Sequence, residues 1–99
     1  MDTAVLLIHF NRPDSTRQQV EALEAVAPKR LWILCDAPRS NRPDEEEKVD
    51  EVKSILDSIS WDCEIKKLYR ETNLGVRKNI SSGVSWFLEE CGEGIILED

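Results

Sequence analysis

Leu31, Trp32, Ile33, Leu34 and Cys35 follow one another without a polar residue, and Val5, Leu6, Leu7, Ile8 and Phe10 form a second such run broken only by His9. A strand with no polar face cannot lie at the surface of a sheet. Both runs therefore predict strands buried on both faces, as in a parallel sheet covered by helices on each side. A third run, Ile95, Ile96 and Leu97 after Gly94, predicts another strand that delivers Glu98 and Asp99 at its carboxyl end.

The segments between these runs read as helices and one weaker strand. Asn11, Arg12, Pro13 and Asp14 break the first run. Asp14 is then expected to cap a helix that buries Val20, Leu23 and Ala27, with Pro28 closing it. Asp44 followed by Glu47 has the spacing of a capping box, and Val49, Val52, Ile55, Leu56 and Ile59 recur on one face of the helix that follows. Residues 63–69 alternate Ile65, Lys67 and Tyr69 with Glu64, Lys66 and Leu68, which predicts a half-buried strand at a sheet edge. A turn at residues 72–75 leads into a third helix marked by Val76, Ile80, Val84, Phe87, Leu88 and Cys91 and ended by Gly92. Strand and helix alternate throughout, so right-handed βαβ crossovers and an α/β three-layer sandwich with a mostly parallel sheet are expected. The quartet Asn-Arg-Pro-Asp occurs at both 11–14 and 41–44, and a proline followed by a capping aspartate before each helix accounts for the recurrence.

Ninety-nine residues supply one modest core, so residues 1–99 are expected to form a single domain. No apolar run approaches the roughly 20 residues needed to span a bilayer. Met1, Asp2 and Thr3 lack the basic flank of a signal peptide, and a cytoplasmic protein is expected. Cys35, Cys63 and Cys91 fall at a strand end, a strand start and a helix end, with no CxxC or Cys/His cluster, so they read as reduced, packed thiols. The net charge of −7 owes most to residues 44–57, where seven acids face only Lys48 and Lys53. That run reads as the solvated face of a helix or as an acidic docking surface. A chain of this sign is not a nucleic-acid binder.

Loops leaving the carboxyl ends of parallel strands share one rim, where α/β proteins bind ligands. Arg12, Arg17, Arg39, Arg42, Arg70, Arg77 and Lys78 all fall in or just after such loops, and guanidinium groups beside helix N-termini suit phosphate oxygens. There is no GxGxxG after the first strand and no GxxxxGK[ST], which excludes the dinucleotide turn and the P-loop. A receiver-type phosphoacceptor domain would need an acidic pair after the first strand, where Asn11 and Arg12 stand. His9, inside a strand, reads as a packed core histidine rather than a catalytic one.

Asn11 and Arg12, Asp36, residues 73–79 with Ser81, Ser82 and Gly83 beyond them, and the ending in Glu98 and Asp99 together resemble the nucleotide-binding half of a GT-A-fold glycosyltransferase. The likeness is to bacterial nucleotide-diphospho-sugar transferases of the N-acetylglucosaminyltransferase I type, some labelled haemolytic proteins, and it covers nearly the whole chain. It implies a Rossmann-like sheet with the first and fourth strands adjacent and the third at an edge, truncated after the fourth. It also implies that Asn11, Arg12 and Asp36 meet the nucleoside, that Arg77 or Lys78 lies near the base or diphosphate, and that Glu98 and Asp99 open the acidic motif for ribose and metal. Asp99 would be the metal residue, for Mn²⁺ or Mg²⁺ in the whole enzyme. The family's third acid would follow Asp99 and is not in this chain, so the portion is expected to bind a nucleotide-sugar donor without turnover and to hold metal weakly or not at all. The open edge of the fourth strand suggests self-association. The alternative is a non-enzymatic α/β interaction module that docks through the acidic second helix.

Overall fold

A computed structural model describes residues 2–98. Seven elements follow in chain order: β1 (Val5–His9), α1 (Pro13–Val26), β2 (Arg30–Cys35), α2 (Glu45–Asp57), β3 (Glu64–Tyr69), α3 (Val76–Cys91) and β4 (Ile95–Glu98). The four strands form one sheet in the order β3-β2-β1-β4, and every pairing is parallel. The expected adjacency of the first and fourth strands and the edge position of the third are both present.

This order explains the layers. The chain steps outward from β1 to β2 to β3, then returns across the sheet to place β4 on the far side of β1. With crossovers of one hand, the two outward steps put their helices on one face and the return puts its helix on the other. The core divides accordingly. Val5, Leu7, Leu31, Ile33 and Cys35 pack with Leu23 of α1 and with Val49, Val52 and Leu56 of α2. Leu6, Ile8, Trp32 and Leu34 pack with Phe87 of α3. The successive residues of β1 and β2 thus serve opposite layers, which is why neither strand has room for a polar side. Trp32 and Phe87 meet edge to face with centroids 5.5 Å apart, and the Trp32 indole N–H donates to Glu90.

Three local expectations are corrected. Asp14 does not cap α1: Arg12 holds the cap position and Pro13, whose fixed φ suits the first helical turn, begins the helix two residues earlier than an Asp14 cap would. Asp14 instead sits in the first turn, 3.3 Å from Arg17. The capping box of α2 does not form either, because Asp44 is already helical (φ −77°, ψ −17°) and makes no cap hydrogen bond. In α3, Ile80, Val84, Phe87 and Cys91 pack against the sheet as expected, but Val76 is 75 % exposed and Leu88 41 % exposed, and Asn79 and Gly83 join Phe87 as the fully buried positions. Asn79 and Gly83 are not large hydrophobics, so apolar periodicity could not find these two positions.

Gly83 lets α3 approach the sheet, since a Cβ there would stand 2.3 Å from Leu34 Cδ2. Gly94 is tighter in kind: a Cβ would lie 2.6 Å from the Ala4 carbonyl oxygen and 2.4 Å from Phe87 Cζ. That carbonyl accepts the Ile95 N–H at 2.9 Å and so cannot move aside without unpicking the start of β4. Beyond it, Ile95 and Ile96 are 41 % and 39 % exposed. Among the described residues no helix is long and apolar enough to cross a membrane. Gly94→Ala is expected to cost about 1–3 kcal/mol through overpacking, read as a fall in the urea midpoint with an unchanged slope; an unaltered midpoint would contradict this packing.

Candidate functional site

A cleft of about 380 Å³ opens at the carboxyl ends of the strands, lined by residues 8–12 after β1, by Asp36 and Arg39 after β2, by Asn73, Gly75, Val76, Asn79 and Ile80 at the start of α3, and by Glu98 of β4. It lies where the strand order reverses, between β1 and β4, the crevice in which open α/β sheets place ligands.

Two carboxylates build its walls. Asp36 is 4 % exposed and follows β2 directly. Its Oδ1 accepts the Ala37 N–H at 2.9 Å and the Leu74 N–H at 3.0 Å, while its Oδ2 accepts the Gly75 N–H at 3.1 Å and the Asn73 amide at 3.2 Å. An ionised carboxylate offers about four acceptor sites, and these bonds fill them. Asn73 also donates to the Ala37 carbonyl at 2.7 Å, which doubles the tie. Asp36 thus fixes the loop that leads into α3 and has no oxygen left for a base N–H.

Glu45 is the second carboxylate, and sequence reasoning missed it because it stands inside an acidic run that reads as a solvated surface. Its side chain turns inward at the start of α2 and is nearly fully buried. It accepts the Arg39 N–H at 2.9 Å, Arg39 Nε at 2.8 Å, Arg39 Nη2 at 2.6 Å and Asn11 Nδ2 at 3.0 Å. This fork joins the loops after β1 and β2. The Arg39 side chain, by hydrogen bonding to the charged form, holds the Glu45 carboxyl at about 2, well below its ordinary 4.5. Arg39 also lies over the Phe10 ring, 5.8 Å from its centroid.

Of the expected site residues, Asn11, Arg12, Asp36 and Glu98 line the cleft. Arg77 and Lys78 are exposed in the first turn of α3 and stand outside the lining. Asp99 lies outside the described residues. The seven rim cations do not converge. Arg17 pairs with Asp14 and Glu51, Arg39 is bound by Glu45, Arg70 donates to Asn79 and Ser82, and Arg42 lines a separate depression with Lys48. Of the two arginines that line the cleft, Arg39 is paired with Glu45, whereas Arg12 has no carboxylate within ion-pair distance among the described residues. His9 is buried and meets Thr16 Oγ1 at 3.1 Å and Gln19, as a core histidine should, though its ring also reaches the cleft floor. All three cysteines are free, and burial pushes the Cys35 thiol up to about 12, so it stays protonated.

Among the described residues no group of three or more His, Cys, Asp or Glu side chains gathers to cage an ion. Of the two carboxylates lining the cleft there, Asp36 is filled and Glu98 is exposed. Mg²⁺ is commonly held by one or two carboxylates together with substrate phosphates, so Glu98 fits as a single ligand for an ion brought in with a diphosphate. No protein-family model, curated protein or solved structure matches this chain.

Two outcomes test the walls. Glu45 has a folded pKa below its unfolded one, so its contribution is complete above pH 4.5 and is lost as pH falls through about 2. Glu45→Gln is expected to cost about 1–3 kcal/mol near neutral pH, with the gap to the natural protein closing between pH 4.5 and 2 in urea titrations; a gap independent of pH would contradict the fork. Asp36→Asn places an amide against donors, and hydrogen exchange at Leu74 and Gly75 should accelerate well beyond that of the β1 amides.

Proposed function

We propose that this chain is the donor-nucleotide-binding portion of a glycosyltransferase and that its rim cleft receives the nucleoside diphosphate of an activated sugar. Arg12 carries the reading: an arginine without a carboxylate partner among the described residues, in a cleft where α/β sheets bind ligands, is available to an anion. The cleft volume of about 380 Å³ lies in the range of small-molecule sites. Ile8, Phe10, Val76 and Ile80 give it apolar walls for a base or sugar ring, and the carbonyl oxygen of Asn11, left over once its amide has met Glu45, can accept from a base or hydroxyl.

Within this reading each residue has a limited task. Arg12 neutralises phosphate charge, Glu98 accepts from a ribose hydroxyl or shares the cation, and Asp36 and Glu45 hold the walls. Glu98 would share in holding a Mn²⁺ or Mg²⁺ brought in with the diphosphate, and that ion would supply Lewis acidity to the leaving group. Asp36 therefore takes a positioning role here in place of the direct base contact that the family resemblance implies.

Titration of uridine diphosphate and other nucleoside diphosphates, with and without Mg²⁺, followed by amide chemical shifts, tests the proposal. Shifts are expected at Asn11, Arg12 and Glu98 for at least one nucleotide, and Arg12→Ala should weaken that binding roughly tenfold. If no nucleotide moves these amides, the transferase reading fails and an interaction module using the exposed acidic face of α2 becomes the better account.

A further inference from the structure

The first turn of α3 has no side-chain cap and no acidic residue, and Gly75, with φ 86°, delivers the chain into it. The helical ladder starts with the Asn79 N–H donating to the Gly75 carbonyl at 2.9 Å, which leaves the N–H groups of Val76, Arg77 and Lys78 without intrahelical acceptors. Gly75, Val76 and Asn79 line the cleft, so this helix end opens into it. A bare helix end names no ligand.

The second observation does. Asn79 is only 4 % exposed, and its Oδ1 accepts Arg70 Nε at 2.9 Å while Arg70 Nη2 reaches Ser82 Oγ at 2.8 Å. Arg70 thereby settles which way the amide points. Asn79 Nδ2, on the other side, donates to no acceptor among the described residues, and it is not sealed from the cleft. Arg70 itself has no carboxylate within ion-pair distance there, so its charge reaches the cleft through a polarised amide. An accessible donor on an otherwise buried amide, oriented by a cation beside three open N–H groups and the positive end of a helix, is complementary to an oxyanion. The nearby Asp36 charge is already met by four donors, and Glu98 enters from β4.

The geometry points to a phosphate subsite at the N-terminus of α3, in which one phosphate group of the ligand accepts from Asn79 Nδ2 and the first-turn amides while Arg12 reaches it from the loop after β1. This deepens the nucleotide reading and rests on it, by fixing which end of the cleft takes the phosphates and leaving the apolar wall at Ile8 and Phe10 for the nucleoside.

Inorganic pyrophosphate, uridine and uridine diphosphate, titrated separately into the natural chain and followed by amide shifts and side-chain amide signals, read the two ends independently. Pyrophosphate should move the amides of residues 76–78 and the Asn79 side-chain N–H₂ signals, uridine only residues 8–11, and uridine diphosphate both sets. Asn79→Asp keeps an acceptor for Arg70 but removes the donor, and should weaken pyrophosphate binding roughly ten- to a hundredfold; the shift map of the natural chain decides the matter should that variant fold poorly. Nucleotide shifts confined to residues 8–12 and 98, with Asn79 silent and Asn79→Asp binding as before, would overturn the subsite and leave the nucleotide reading standing. Pyrophosphate shifts at residues 76–79 with no response to any nucleoside would do the reverse.

Discussion

Everything in this molecule is referred to β1. It pairs with β2 by one edge and with β4 by the other, which places it at the point where the strand order reverses, and its side chains are buried on both faces. Leu6 and Leu7 point into different layers and are each fully buried. Removing a strand so placed would separate the two cores as well as the two halves of the sheet. The cleft inherits that rigidity, because residues 8–12 form the last turn of β1 and the chain that leaves it.

Around that fixed strand the cleft divides its polar groups into two kinds. Asp36 and Glu45 have their acceptor capacity used within the protein and hold three loops in register. Arg12 and the Asn79 amide have donors left over. A binding site needs both kinds, since donors left unpaired are selective only if the walls around them do not yield. Of the rim cations that sequence position suggests, Arg12 is the one among the described residues that lines the cleft without a carboxylate partner; Glu51, Glu45 and Asn79 take up Arg17, Arg39 and Arg70, and Arg42, Arg77 and Lys78 stand outside the lining.

The sheet was legible because burial on both faces leaves a signature in every residue of β1 and β2, and because Lys66 and Lys67 could only suit an edge. The helix starts were less so. Pro13 starts α1 ahead of Asp14, and Asp44 takes a helical backbone that keeps its side chain from capping, neither of which a spacing rule weighs. In the site, Arg12 and Glu98 followed from their place at strand ends, which topology alone sets. Glu45 did not: its neighbours in sequence are exposed acids, and only the arrival of Arg39 and Asn11 distinguishes it. Asn79 fell within a segment already singled out, but its role depends on Arg70, nine residues away and across a turn, a pairing no local pattern encodes.

The Asp36 tie has a consequence for how the chain reaches its native state. Leu74 and Gly75 lie 38 and 39 residues beyond the aspartate that holds them. The pairing of β3 with β2 brings the ends of that long loop together, so the tie closes over a short remaining span. The wall of the cleft thus leans on the sheet that supports it. During synthesis, with the chain growing from its N-terminus, Asp36 emerges long before its partners and must wait, solvated, at the end of a strand that itself has nothing yet on its outer edge.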